Sequence, residues 1–100
     1  MIRLAITAAG IGLSAIATAP ARADTAEHAY IKVLDDNNIH HGTRSHGLAM
    51  GHAVCAALDA GEYTPGTVVV ALRRDDRLSY DDAAAVAAAA IAMFCPWNKS

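Results

Sequence analysis

The sequence predicts an all-α fold: a small four-helix orthogonal bundle stapled by one disulfide and preceded by a cleavable signal peptide. Three observations carry that expectation. Alanine-rich segments with apolar residues on the 3.6-residue period are separated by short turns. Two cysteines, Cys55 and Cys95, stand near the ends of two of those segments. A charge-free apolar stretch opens the chain behind a single arginine.

The opening stretch decides what the rest has to fold. Leu4 to Ala19 is uncharged, and its 16 residues fall short of the roughly 18–20 needed to cross a bilayer. Pro20 ends it, and Ala21-Arg22-Ala23 forms an A-x-A cleavage pattern before Asp24. Residues 1–23 are expected as a signal peptide and residues 24–100 as a single helical domain. A retained anchor is the lesser alternative, and no cysteine follows the apolar run to accept a lipid.

The 77 residues after Ala23 carry six basic and ten acidic side chains, a net charge of −4 with histidine neutral. Nucleic acid and anionic membranes select a basic face, so both are excluded as expected partners. A chain of this length holds one core. Much of its apolar content is alanine, which buries little area per residue, and small domains of that kind need a staple.

The cysteines supply it. In an exported chain an even, small cysteine count signals a disulfide. Cys55 and Cys95 allow one intramolecular pairing, closing a loop of 40 residues worth about 4 kcal/mol in the chain-entropy model. A redox centre would need C-x-x-C, which is absent, and a catalytic thiol would leave the other cysteine without a role.

The first helix is expected from about Thr25, as N-cap, to Asp36. It has Ala26, Tyr30, Val33 and Leu34 on one stripe and Asn37-Asn38 as its stop. The second is expected from His46 to Ala60 behind Ser45 as N-cap, with Leu48, Gly51, Val54, Cys55 and Leu58 on one face and Gly61 as the C′ residue. Gly51, one turn before Cys55, is expected to admit the partner backbone to disulfide distance.

The third segment is ambiguous. Thr64-Pro65 suits a helix start and Arg73-Arg74 a helix end, whereas Val68-Val69-Val70 suits a strand. A lone strand would have no partner, so a helix is expected. The fourth helix opens at Ser79 with Asp82 three residues on and stops at Pro96. Val86, Ala90, Ile91, Met93, Phe94 and Cys95 cover its apolar arc. The strip of Ala85, Ala88, Ala89 and Ala92 is expected as an exposed face, with a close-approach surface for a partner chain, or burial within the fold, as the alternatives. Trp97 is expected as a lid over the helix end.

Candidate chemistry is confined to the loop before the second helix. His40, His41 and His46, with His52 beyond and Asp35 or Asp36 as an oxygen donor, form a weak candidate set for Zn²⁺ or Cu²⁺. The plainer expectation is solvated loop histidines, and a third is a pH-responsive cluster. No G-x-S-x-G, phosphate-binding glycine loop, H-E-x-x-H or paired-carboxylate motif occurs, so no catalytic residue, cofactor or enzyme activity is expected.

The run from Gly51 to Gly61 (G-H-A-V-C-A-A-L-D-A-G) followed by Ala92-Met93-Phe94-Cys95-Pro96 resembles small secreted actinobacterial proteins grouped as domain of unknown function 732. The marks are G-x-x-V-C-x-x-L-x-x-G and the terminal Cys-Pro. The resemblance implies a compact helical domain with Cys55 and Cys95 paired, and no activity. The histidine-rich loop departs from the group's pattern. The expected role is that of a secreted or envelope binding module, monomeric or weakly self-associating. An unidentified protein partner is a possible target, and a metal or pH response in the histidine loop is the alternative.

Overall fold

The structure, a computed structural model, describes residues 24–98; the expected signal peptide lies outside the described residues. Among those residues four helices and a terminal 3₁₀ turn follow one another without a strand. They are α1 (24–36), α2 (Arg44–Asp59), α3 (Pro65–Asp75) and α4 (Tyr80–Phe94), with the 3₁₀ turn at Pro96–Asn98.

Thr25 is already helical and does not cap α1. The helix packs Tyr30, Ile31 and Leu34 inward, while Ala26 and Val33 are half-buried at its margin. It ends in a Schellman motif: Ile39 N–H donates to the Leu34 carbonyl at 2.9 Å and Asn38 N–H to that of Asp35 at 3.1 Å. Asn38 takes the left-handed conformation (φ 56°), and Ile39 folds back buried beside Leu34. The expected Asn-Asn stop thus has a specific geometry.

α2 begins two residues before the expected start. Thr43, not Ser45, is its N-cap, with the Thr43 hydroxyl accepting from His46 N–H at 3.0 Å. Gly61 follows the helix at φ 79°, as expected. The inward face is Gly47, Met50, Gly51, Val54, Cys55 and Leu58, whereas Leu48 stands at the edge. α3 is a helix despite its valines, because Thr64 and Thr67 form a reciprocal capping box and Pro65 fits the first turn. Val68, Val69 and Leu72 then face inward and Val70 outward. In α4 the Ser79 hydroxyl accepts from Asp82 N–H at 3.1 Å, and Asp81 and Asp82 lie at the positive helix end.

Cys55 and Cys95 are joined, with Cα atoms 5.9 Å apart, tying the middle of α2 to the end of α4. The role expected of Gly51 needs correction. A Cβ there would strike the Tyr30 ring, 2.6 Å from Cζ, and not the backbone across the disulfide. Gly47, one turn earlier, likewise makes room for His41 and Ile31. The two glycines form a notch that seats α1 and its following loop on α2. The alanine strip also divides differently from the expectation: Ala88 and Ala92 are exposed, Ala85 is half-buried and Ala89 is buried.

Candidate functional site

α2 and α3 run from Thr43 to Asp59 and back from Thr64 to Asp76, joined by a short turn through Gly61. Between them lies an open groove of about 350 Å³. Its cause is local composition. Ala49, Ala53 and Ala57 recur at every fourth position on α2 and meet Ala71 on α3, so no large side chain bridges the gap. Met50 and Val54 from α2 and Val68 and Leu72 from α3 line the groove with apolar surface. Tyr63 borders it beside Ala57, while His46, Asp75 and Asp76 border it where α2 begins and α3 ends.

That polar end is structured. Both Asp75 oxygens receive the Arg74 guanidinium, Nε at 2.9 Å and Nη2 at 3.4 Å. These hydrogen bonds hold the Asp75 carboxyl below the usual carboxylate range and raise Arg74. Asp76, whose side chain is 28% exposed, has His46 Nε2 at 3.9 Å, beyond hydrogen-bonding distance. Beneath α2 the Tyr30 phenol is fully buried, and its hydroxyl has no hydrogen-bond partner among the described residues. Burial, with the Asp76 charge adding to it, pushes this phenol far above its ordinary pKa.

The histidines weighed as a weak metal-binding set are dispersed. His40 is exposed. His41 turns under the loop, its Nε2 at 2.8 Å from Asp35 Oδ1 and its Nδ1 at 3.3 Å from the Thr43 carbonyl. His46 faces Asp76, and His52 contacts Glu27 at 2.9 Å while stacking on Phe94 with ring centroids 4.2 Å apart. Among the described residues no three His, Cys, Asp or Glu side chains gather into a metal-holding group, so the candidate set His40, His41 and His46 is not brought together. The reason is that the imidazoles face separate carboxylates: His41 meets Asp35 at the end of α1, His52 meets Glu27 near its start, and His46 faces Asp76 after α3.

Trp97 sits at the C-terminal end of α2 with 69% of its surface exposed, tethered by its indole N–H, which donates to Asp59, the last residue of that helix, at 2.8 Å. Asn98 donates to the same oxygen at 2.7 Å, and the two bonds lower the Asp59 pKa, that from Asn98 being the stronger influence. The groove itself escaped sequence reasoning, which gave Ala49, Ala53, Ala57 and Ala71 no role. The signal for it was the Ala49, Ala53, Ala57 spacing opposite Ala71.

No curated protein and no solved structure matches the chain. The model of the family described as protein of unknown function DUF732 matches residues 23–97, nearly all of the described chain, and the protein belongs to that family.

Proposed function

We propose that this protein is a non-catalytic binding module acting outside the cytoplasm, in the cell envelope or extracellular space, and that the groove between α2 and α3 is where it binds. The observation that carries the proposal is a 350 Å³ groove with apolar walls and a few polar groups at one end, the usual build of a small-molecule site. Ala49, Ala53, Ala57 and Ala71 leave this space unfilled between the two helices. The disulfide, and the fact that no described helix is long and apolar enough to cross a membrane, are compatible with an exported protein. The test is titration of the oxidised protein with a neutral apolar dye such as Nile red. Saturable one-to-one binding, abolished by Ala53→Phe, supports the proposal. Binding that survives Ala53→Phe, or no saturable binding, refutes it.

A further inference from the structure

We infer that the α2–α3 groove is built for an amphiphilic organic cation, an apolar chain or ring bearing one amine, with its ammonium at Asp76. The inference rests on the binding role proposed above and adds the chemical class of ligand. At roughly 30 Å³ per water-sized group, a groove of 350 Å³ holds about a dozen non-hydrogen atoms. Met50, Val54, Val68 and Leu72 offer the body of such a ligand a purely hydrophobic bed.

The charge at the polar end selects the head group. Of the two carboxylates there, Asp75 is committed, both oxygens holding the Arg74 guanidinium. Asp76 is not. Its side chain is largely withdrawn from water, no hydrogen bond reaches it among the described residues, and its one cation-capable neighbour, His46, stands at 3.9 Å. A carboxylate in that state has lost hydration without gaining a donor in exchange. An ammonium beside it supplies a charge-assisted hydrogen bond. An anion would meet the uncompensated negative charge of Asp76, and a neutral head group would leave the desolvation of Asp76 only partly offset. The groove between α3 and α4 has a similar volume but is lined by Pro65, Val69, alanines and Ile91, with no charged group to orient a ligand.

The deciding experiment titrates the oxidised protein with decylammonium, 1-decanol and decanoate, each below its aggregation concentration, by calorimetry and amide chemical-shift mapping. The expected result is one-to-one binding of decylammonium at the α2–α3 groove, about tenfold tighter than decanol, with decanoate weakest. Asp76→Asn should erase the preference for the amine, decylammonium then binding no more tightly than decanol. Ala53→Phe, at an exposed position on the groove wall, should abolish all binding. Equal affinities for decanol and decylammonium, or a preference that survives Asp76→Asn, overturn the cation assignment while leaving the groove as a binding site. Failure of all three probes, or indifference to Ala53→Phe, overturns the groove itself.

Discussion

The Tyr30 ring occupies the space where Gly51 has no side chain. A Cβ at Gly51 would stand 2.6 Å from Cζ and 2.9 Å from the hydroxyl oxygen, so the aromatic ring of α1 lies directly on the α2 backbone. The ring also meets Phe94 of α4, centroid to centroid at 5.0 Å. One residue pair therefore governs how three helices meet.

Gly51→Ala should accordingly destabilise the protein. Helix propensity alone would favour alanine by up to about 1 kcal/mol, but overpacking against a buried ring costs about 1–3 kcal/mol. Gly66 is the contrast, since the nearest atom to a Cβ there is Thr64 Oγ1 at 3.9 Å. Gly66→Ala should stabilise by about 0.5 kcal/mol. Urea denaturation of the two variants should show midpoints moving in opposite directions.

Tyr30→Phe should cost little, or stabilise by about 1 kcal/mol, because it removes a buried hydroxyl that has no partner. The same phenol has its pKa raised by burial. An unfolded tyrosine ionises near pH 10 while the folded one stays neutral, so the unfolded state holds fewer protons and stability falls as pH rises above 10. The melting temperature of the parent protein should drop more steeply above that pH than that of Tyr30→Phe.

Asp59 binds Trp97 and Asn98, and its pKa is lowered by those bonds. A depressed carboxylate contributes above its ordinary pKa near 4, and the contribution is lost as pH falls through the lower folded value. The tether of Trp97 should therefore hold at neutral pH and release only in strong acid. Tryptophan emission should shift below pH 4 in the parent protein, and Asp59→Ala should show the released spectrum already at pH 7.

Replacing the staple has the largest expected effect. Cys55→Ser should lower stability by about 2–5 kcal/mol, the usual cost of removing a native disulfide from a small domain. Thermal melts of the variant and of the oxidised parent make the comparison, and an unchanged melting temperature would contradict a structural role for the bond.

Much of the scaffold was legible in the sequence because its signals are local. Thr64-Pro65 and Ser79 start helices through hydroxyls that accept from N–H groups three residues on, and Gly61 stops one through its positive φ. What escaped depended on contacts between distant segments. Gly51 was read as disulfide clearance, since nothing local says that Tyr30 comes to rest there. The histidines looked like a set because they are neighbours in the chain. Asp35 and Glu27, at opposite ends of α1, and Asp76, after α3, draw three of them apart. The groove arises from residues that are missing bulk, and absence of volume leaves only a spacing of alanines to find.

The covalent link between Cys55 and Cys95 makes a ring of the chain, and that ring contains the last five residues of α2, α3 and α4. α1 is outside it. Its hold on the body is the Tyr30 plug in the glycine notch together with side-chain pairs such as His52 with Glu27 and His41 with Asp35. The molecule is thus a cyclised core with a clip-on arm. Loosening the plug frees the arm without opening the ring, so amide exchange should begin in residues 24–39 while the covalently closed part keeps its protection.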